Sequence, residues 1–168
     1  MRFKILNNFL NDQQFKELKK LFFSNEFSWF FIENMTKNDS HFFTHNFYNK
    51  QQIHSVLFDV VVLPFIKKLN MGLLIKARAN LMLKKEIRYE SEYHTDLDQE
   101  MMRDKKYKTA IFYLNHCDGY TLFKEGNKKV DCVENRIVIF DSTLMHKAVS
   151  QINTDRRIVI NFNYIEEI

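Results

Sequence analysis

Three residues of this chain have the types and the spacing of a metal site. His94 and Asp96 form a His-x-Asp pair, and His146 follows after 49 intervening residues. Two imidazoles and one carboxylate can occupy one face of an Fe(II) octahedron and leave the other positions open. A basic pair, Arg156-Arg157, follows ten and eleven residues after His146, and a guanidinium can hold a carboxylate through paired, charge-assisted hydrogen bonds. The pattern therefore predicts a metal centre beside an anion site.

A second His-x-Asp pair, His116 and Asp118, shows that this motif alone does not identify a metal site. It lies between a predicted strand end and Gly119, where Asp-Gly is typical of a turn, so we interpret it as a loop. His94 and Asp96 follow an extended stretch instead and have suitable downstream partners. Zinc is the main competitor for such a site, but the His-Glu-x-x-His pattern of zinc hydrolases is absent from the sequence. The remaining histidines are expected to have surface or capping roles; they are His41, His45 and His54.

Six short stretches, in the order in which they occur, match a known pattern. They are Lys76–Leu81, Tyr93–Asp96, Lys108–Asn115, Gly119–Phe123, Val138–Ser142 and Arg157–Phe162. Together they resemble the 2-oxoglutarate- and Fe(II)-dependent oxygenases of the prolyl 4-hydroxylase-like group, in particular the compact forms of marine phages and bacteria. One departure is Asn135, which stands where the family pattern has a glycine. Asparagine also adopts the left-handed backbone conformation, so the assignment stands.

The resemblance implies a set of cofactors and roles. It implies that His94, Asp96 and His146 bind Fe(II), that 2-oxoglutarate and O2 are cosubstrates, and it leaves ascorbate open as a further cofactor. It also implies that Arg157 binds the distal carboxylate of 2-oxoglutarate, with the Tyr113 hydroxyl on the same group. The implied reaction hydroxylates a C–H bond, of a prolyl residue or of a small molecule, and releases succinate and CO2.

Composition restricts the class of protein. A chain of 168 residues with 17 Phe is expected to form one domain with a packed core, residues 1–168. Two cysteines are too few for a disulfide scaffold, and no apolar run reaches membrane-spanning length. The sequence therefore predicts a soluble protein of a reducing cytoplasm, the host cytoplasm if the protein is viral, with no membrane partner.

Periodicity predicts the fold. A strand near Phe3–Leu6 precedes a helix capped by Asp12 and running to about Phe23, and a second helical stretch runs from about Gln51 to Leu69, with Pro64 kinking or dividing it. Short β-rich runs then recur, at Leu73–Leu83, Lys108–Leu114, Thr121–Phe123, Arg136–Phe140, Ala148–Ser150 and Arg157–Tyr164. We expect a mainly β fold with N-terminal helices, a double-stranded β-helix or jelly-roll sandwich backed by helices. The helical part would cover about residues 1–70 and the sandwich about 71–168.

The last predicted strand has two different faces. Ile158, Ile160 and Phe162 share one face and suit packing against helices. Arg157 and Val159 share the other face with two asparagines, Asn161 and Asn163, a set that suits a cavity holding a charged ligand. The alternation selects Arg157 over Arg156 as the anion-binding residue. It does not assign a role to either asparagine.

Two other functions remain open from the sequence. The same iron chemistry could demethylate a nucleic acid, with phosphate contacts from a chain of net charge +4 and a flipped base in the pocket. The lysines, however, are scattered doublets that suit a solvated surface better than a nucleic-acid stripe. A jelly roll that binds a ligand or protein without turnover is the other alternative. The expected partner is a small-molecule or peptide substrate, nucleic acid is not excluded, and the oligomeric state is open.

Overall fold

Two antiparallel sheets and a few short helices build the protein in the computed structural model, which describes residues 3–32, 42–98, 100 and 107–167. The strands are β1 (Phe3–Leu6), β2 (Phe30–Ile32), β3 (Phe42–Asn49), β4 (Gln52–Ile53), β5 (Met71–Leu83), β6 (Tyr107–Tyr113), β7 (Tyr120–Phe123), β8 (Lys129–Asp131), β9 (Arg136–Asp141), β10 (His146–Val149) and β11 (Arg156–Glu166). The helices are α1 (Asp12–Phe22), α2 (Phe58–Val61) and α3 (Leu63–Lys68), with a 3₁₀ turn at Glu125–Asn127.

The larger sheet has the strand order β1-β9-β6-β11-β5-β3-β2, with β4 paired to β3. The smaller sheet has the order β10-β7-β8, and the segment before Thr95 extends it through bridges from Glu90 to Val149 and from His94 to His146. Strands that are far apart in the sequence are therefore neighbours, as in a jelly roll. This arrangement confirms the predicted fold class and most of the strands predicted after residue 70.

The two faces of the larger sheet bury different cores. Ile158, Ile160 and Phe162 of β11 are fully buried in the core that the larger sheet forms with the three helices. Tyr113 and Val159 point to the other side, into the layer between the two sheets. Alternate residues of β11 are thus buried in different cores, because successive side chains of a strand point to opposite faces of a sheet. The facing predicted for the last strand is confirmed.

The N-terminal helices differ in detail from the prediction. Asn11, and not Asp12, caps α1, since its side-chain oxygen accepts a hydrogen bond from the Gln14 amide at 2.9 Å. The expected helix from Gln51 to Leu69 is wrong over its first part, which contains β4, and the rest consists of two short helices. Pro64 lies in the first turn of α3, where its missing N–H costs no helical hydrogen bond, and it thus divides the helical stretch.

Strand β3 was not predicted, although it lies inside the part expected to be helical. Its pairing with β5 shifts register between Asn46 and Tyr48, and such a bulge breaks the period-two pattern that reveals a strand. Lys50 and Gln51 both have positive φ, the geometry of a two-residue hairpin turn, and they join β3 to β4. The N-terminal part thus supplies strands to the larger sheet as well as helices.

Asn135 fulfils the backbone role expected of it. Its φ is +56°, and its side chain exchanges two hydrogen bonds of 2.9 Å with the backbone of Leu10. The residue therefore turns the chain into β9 and also fixes the segment that leads into α1. Within the described residues, none of the helices is both long and apolar enough to cross a membrane.

Candidate active site

A hydrogen-bonded backbone pair brings the two predicted histidine ligands together. The His94 amide donates to the His146 carbonyl at 2.9 Å, and the His146 amide donates to the His94 carbonyl at 3.0 Å. Residues directly opposite each other in an antiparallel pair project from the same face, so both imidazoles point the same way, with ring centroids 4.8 Å apart. His146 is buried, whereas about half of the His94 side chain is exposed to solvent.

Asp96 completes the set of three. Its Oδ1 lies 3.7 Å from Nε2 of His94 and 3.8 Å from Nε2 of His146, and the three atoms all lie within 4.8 Å of one another. The Nδ1 atoms of the two rings lie 3.0 and 3.2 Å from the backbone carbonyls of Glu92 and Leu144. An Nδ1–H tautomer of each ring therefore donates to its carbonyl and leaves Nε2 free to bind a metal.

The donor set fits Fe(II). Nitrogen and oxygen ligands bind such ions at roughly 2.0–2.2 Å, so a small inward movement of the three side chains would bring them to binding distance. Burial lowers the pKa of His146, partly opposed by Asp96 and reinforced by His94, and the neutral imidazole is the form that binds metals. The two-histidine, one-carboxylate composition is that of non-haem Fe(II) oxygenases.

Asn163 positions the carboxylate and was not assigned a role from the sequence. Its Nδ2 lies 3.4 Å from Asp96 Oδ2 and donates to Thr109 Oγ1 at 3.0 Å. Asn163 and Thr109 are both buried, and Thr109 is also bonded to Ser142 at 2.9 Å. Partners of this kind hold a ligand in its binding orientation. The sequence showed only that Asn163 faces the cavity side.

The second His-x-Asp pair is structural, as predicted. Asp118 Oδ1 accepts hydrogen bonds from the amides of Ile152 and Asn153 at 3.0 and 3.2 Å. Its Oδ2 forms a 2.5 Å ion pair with Arg88, which also donates to the carbonyls of Asp118 and Ser150. These bonds tie together three chain segments beside the cavity. His116 is exposed.

The other histidines are also accounted for, with one correction. His45 is buried and not a surface residue: its ring nitrogens lie 2.7 Å from the Ser28 carbonyl and from the Ser55 hydroxyl, so it bridges two segments of the N-terminal half. Its proximity to aromatic rings hides it from solvent. His54 is exposed and lies 3.2 Å from the Asn49 carbonyl. His41 lies outside the described residues.

Arg157 is buried and lines the same cavity as His94, Asp96 and His146. The residue is 1% exposed, and its Nη2 atom donates a hydrogen bond to Thr121 Oγ1 at 3.2 Å. Its Nε atom has no hydrogen-bond partner. No carboxylate of residues 3–32, 42–98, 100 or 107–167 lies within ion-pair distance of it. A buried guanidinium without an anion is unfavourable, so this position suits an anionic ligand. Arg156 lies on the opposite face, exposed, 5.3 Å from the Phe23 ring.

Tyr113 and Thr121 lie beside the Arg157 guanidinium. The Tyr113 ring is 5.8 Å from the guanidinium carbon, and its hydroxyl donates to Thr121 Oγ1 at 2.8 Å. Burial raises the pKa of Tyr113 to about 12, against the opposing effect of Arg157, so the phenol stays protonated at neutral pH. Since Thr121 Oγ1 accepts from both neighbours, its own hydrogen can point to a ligand. Thr121 was missed from the sequence, although it is an inward-facing position of β7.

One cavity of about 320 Å³ connects the histidines to Arg157. Its wall between these ends includes Ile111, Ala148 and Val159, which are apolar, and Thr121 lines it near Arg157. Asn161 also lines it, with a buried Oδ1 that has no hydrogen-bond partner. A ligand with a metal-binding group at one end and an anionic group at the other is therefore the kind of molecule that this cavity accommodates.

Gly119, just before β7, lies where the Arg157 side chain comes too close to leave room for a larger residue. A Cβ at this position would lie 3.0 Å from Arg157 Cδ and from the Val149 carbonyl oxygen, and 3.1 Å from the Gln151 amide nitrogen. Two of these three atoms are backbone and cannot move independently. We expect Gly119→Ala to destabilise the protein by about 1–3 kcal/mol through overpacking and to weaken the anion site by displacing Arg157.

Thermal unfolding and ligand titration of this variant would measure the two effects. Gly126→Ala is the matched control for the loss of a glycine, although its positive φ of 68° makes it mildly strained; it has open space around its Cβ position. Unchanged stability and ligand binding in Gly119→Ala would contradict the packing described here.

Solved structures of other proteins share this fold. A prolyl hydroxylase from Trichoplax adhaerens, in complex with a peptide of the hypoxia inducible factor oxygen degradation domain, matches with a TM-score of 0.67 at 18% identity, covering 98% of this chain and 83% of that one. A 2OG-Fe(II) oxygenase family oxidoreductase from Burkholderia pseudomallei matches with a TM-score of 0.73 at 9% identity, covering 98% and 85%.

A viral enzyme matches over nearly its whole length. The collagen prolyl hydroxylase of Paramecium bursaria Chlorella virus-1, in a 2OG complex, has a TM-score of 0.59 at 14% identity and is covered to 97%, with 100% of this chain aligned. No family model matches the sequence, and no curated protein does. The chain therefore has the fold of the 2-oxoglutarate- and Fe(II)-dependent oxygenases of the prolyl 4-hydroxylase group, and its His94, Asp96 and His146 side chains lie close enough together to hold a metal ion.

Proposed function

We propose that this protein is an Fe(II)- and 2-oxoglutarate-dependent dioxygenase that hydroxylates a C–H bond of a prolyl residue or of a small molecule. The observation that carries the proposal is one cavity with two matched ends. The nitrogen and oxygen atoms of His94, Asp96 and His146 face it at one end, and the buried Arg157, without a carboxylate partner among the described residues, lies at the other. 2-Oxoglutarate has a metal-chelating keto acid and a distal carboxylate, which suit these ends.

The protein's contribution to the proposed reaction is to hold and orient the reactants. Fe(II) and 2-oxoglutarate, when bound, supply the oxidising chemistry, in which O2 is consumed, 2-oxoglutarate becomes succinate and CO2, and an oxygen atom enters the substrate C–H bond. His94, Asp96 and His146 would hold the ion through two imidazole nitrogens and one carboxylate oxygen, and a ligand set of this size would leave positions for the cosubstrate. Asn163 keeps the Asp96 carboxylate oriented. Ile111, Ala148 and Val159 make part of the wall between the metal end and Arg157 apolar.

The distal carboxylate of the cosubstrate is assigned to Arg157 and Thr121, with Tyr113 behind them. Arg157 provides the charge and a planar fork of N–H groups. Thr121 provides a hydroxyl whose oxygen is already occupied by the Tyr113 and Arg157 donors, so that its hydrogen points to the ligand. Tyr113 then acts by orienting Thr121, or by turning its own hydroxyl to the carboxylate once the ligand is bound.

Removing either hydroxyl should weaken 2-oxoglutarate binding moderately. We expect Tyr113→Phe to cost about 0.5–3 kcal/mol, and Thr121→Val, which keeps the side-chain shape, about 1–3 kcal/mol, since each removes hydrogen bonds around a charged group. Anaerobic titration with 2-oxoglutarate at fixed Fe(II) measures both. A loss in Thr121→Val together with wild-type affinity in Tyr113→Phe would show that Tyr113 is a core residue only.

We also propose that residues 1–168 act as one oxygenase domain. Phe22 of α1 and Phe65 of α3 lie in the same core as Ile160 and Phe162 of β11, and β3 from the first half pairs with β5 of the second. Elements of both halves therefore share a hydrophobic core and a sheet, as expected of a single folding unit.

Succinate formation tests the function and the choice of substrate together. Purified protein with Fe(II), 2-oxoglutarate and O2 should release succinate slowly alone and faster with its substrate. Prolyl peptides, free amino acids and methylated oligonucleotides form the screening panel. Stimulation only by methylated oligonucleotides, with salt-dependent affinity, would replace the hydroxylase proposal by the demethylase alternative. A protein that binds 2-oxoglutarate but never forms succinate would be a binding protein without turnover.

A further inference from the structure

The two cysteines of the chain lie against each other in the layer between the two sheets, and the proposed reaction does not use them. Cys117 precedes β7, Cys132 follows β8, and both are buried free thiols. The Cys117 amide donates to the Cys132 carbonyl at 3.1 Å, and the two thiols are hydrogen-bonded to each other. A disulfide needs Cα atoms roughly 4.4–6.8 Å apart, and residues joined in this way can form one through small movements.

Both thiols lie next to solvent-exposed positions. Cys117 follows the exposed His116 in the connection between β6 and β7, and Cys132 follows the exposed Asp131 at the end of β8. Connections between strands open locally with a smaller free-energy cost than the interior of a sheet. A small oxidant therefore needs only a local opening of these connections to reach the sulfur atoms.

The two thiols differ in acidity. The hydrogen bond from Cys132 and the nearby Arg157 guanidinium, against the effect of burial, lower the pKa of Cys117 to about 7. The hydrogen bond with Cys117 and burial raise the pKa of Cys132. Since the thiolate is the nucleophile, Cys117 reacts first with an oxidant and Cys132 then attacks the oxidised sulfur. A low-pKa cysteine beside such a second cysteine is the usual arrangement of a redox sensor.

Asn115 connects the cysteine pair to the backbone around Arg157. Its carbonyl accepts a hydrogen bond from Cys132 Sγ at 3.1 Å. Its side chain holds the two residues that flank Arg157: Oδ1 accepts from the Ile158 amide and Nδ2 donates to the Arg156 carbonyl, each at 2.9 Å. A change at Cys132 therefore reaches the strand position from which the Arg157 side chain projects.

Gly119 forms the second connection. It stands two residues after Cys117, and its carbonyl accepts from the Cys132 amide at 3.1 Å. Its Cα lies so close to Arg157 that an added Cβ would be 3.0 Å from Arg157 Cδ. Drawing the two sulfur atoms together moves the turn 117–119, and this contact leaves the Arg157 side chain little room to stay in place.

We infer that Cys117 and Cys132 form a redox switch, in which hydrogen peroxide converts the two thiols to a disulfide and thereby weakens anion binding at Arg157. For the identity of the anion, 2-oxoglutarate, this inference rests on the proposed function. The disulfide displaces the turn 117–119 and removes the thiol that donates to Asn115, so both connections to Arg157 change together. Thiol–disulfide changes of this kind switch proteins between two states.

The oxidation uses the two thiols and one hydrogen peroxide. The Cys117 thiolate attacks one peroxide oxygen, the O–O bond breaks, and the departing hydroxide takes up a proton to become water. Cys117 is then a sulfenic acid. The Cys132 sulfur attacks the Cys117 sulfur, the S–S bond forms, and the OH group leaves as a second water with the Cys132 proton. The two sulfur atoms supply two electrons to the peroxide, and a thiol reductant reverses the change.

Thiol counting on the wild-type protein tests whether the disulfide forms. Because the chain contains two cysteines, an intramolecular disulfide has one possible pairing. Under denaturing conditions, reduced protein should show both thiols, and peroxide-treated protein should show none while remaining a monomer. Buffers of reduced and oxidised dithiothreitol give the midpoint potential of the pair without oxidising the methionines.

Calorimetric binding of 2-oxoglutarate to Mn(II)-loaded protein without O2 tests the effect on the anion site and needs no turnover. The disulfide form should bind 2-oxoglutarate about 5- to 50-fold more weakly than the reduced form, the usual scale of coupling between two sites. Such coupling is reciprocal. Saturating 2-oxoglutarate should therefore make the disulfide easier to reduce, raising the midpoint potential by about 30 mV for each factor of ten in affinity.

Cys117→Ala and Cys132→Ala are the matched control variants. Each keeps one thiol and cannot form the intramolecular disulfide, so its affinity for 2-oxoglutarate should be the same before and after oxidation. Equal losses in the variants and in the wild type would contradict the switch and assign the effect to another oxidisable residue. Met82 is that residue, because its sulfur lies 4.0 Å from Arg157 Nη1.

Two results on the wild-type protein would overturn the inference without any variant. Both thiols stay free in the presence of peroxide, or the disulfide forms and the affinity for 2-oxoglutarate is unchanged or higher. Failure of the proposed function is distinguishable from both, because the reduced, metal-loaded protein would then not bind 2-oxoglutarate at all. The thiol count would still show whether the disulfide forms.

Discussion

Replacing Asp96 with alanine is expected to abolish turnover while leaving the fold intact. The carboxylate is the one anionic ligand of the three, and it lies 3.7 and 3.8 Å from the two histidine nitrogens. Loss of a residue that merely orients a ligand costs about 10–100-fold in metal affinity or activity, so loss of the ligand itself should exceed about 100-fold. Fe(II) binding, succinate formation and far-ultraviolet circular dichroism, measured on the same preparation, test the three parts of this expectation.

The second His-x-Asp pair provides the matched control. His116 is exposed and outside the cavity, so His116→Ala should retain wild-type turnover, whereas His94→Ala should lose it as Asp96→Ala does. Comparable losses in His116→Ala and His94→Ala would contradict the assignment of His94 and Asp96 to the metal. Asp118 is unsuitable as a control, because it holds three chain segments together through Arg88, Ile152 and Asn153.

Removing the Arg157 side chain is expected to weaken 2-oxoglutarate binding by about 2–5 kcal/mol, the usual effect of losing one partner of a buried charged contact. The guanidinium is buried, bonded to Thr121, and lacks an ion-pair partner among the described residues. Metal binding should be preserved, since Arg157 is at the far end of the cavity. Anaerobic titration of Arg157→Ala with 2-oxoglutarate at fixed Fe(II) measures the loss.

Arg156→Ala tests the strand register in the same experiment. Arg156 is exposed and stacks on Phe23 at the other face, so its removal should change 2-oxoglutarate affinity by less than about 0.5 kcal/mol, as expected of a surface substitution. Loss of affinity in Arg156→Ala together with normal affinity in Arg157→Ala would mean a register error of one residue. Such a shift would turn Asn161 and Asn163 to the opposite face of β11 as well.

Local patterns predicted the second half of the fold better than the first. In β11 the polar residues Arg157, Asn161 and Asn163 all fall on one face, and this spacing identified its two faces and selected Arg157 over Arg156. β3 lacks this clean pattern because a bulge between Asn46 and Tyr48 shifts its register. The helix expected from Gln51 to Leu69 is wrong over its first part for a related reason. Two consecutive positive φ values at Lys50 and Gln51 build a hairpin turn, and neither residue is a typical turn former.

Some residues of the candidate site could be predicted from the sequence, and others could not. His94, Asp96 and His146 were recognisable by type and spacing. Thr121 and Asn163 were not assigned, because their roles depend on which segments become neighbours. Thr121 of the smaller sheet contacts Arg157 of the larger sheet, and Asn163 of β11 lies 3.4 Å from Asp96.

One cavity is expected to bind Fe(II) and 2-oxoglutarate together and to activate O2. Anaerobic addition of Fe(II) and 2-oxoglutarate to the purified protein should produce the weak visible absorption band of the metal–cosubstrate chelate. The band should be absent in Asp96→Ala and should require more 2-oxoglutarate in Arg157→Ala. On admission of O2 the band should decay as succinate appears. A wild-type protein that forms no band and no succinate, although it is folded and supplied with both components, would contradict the account.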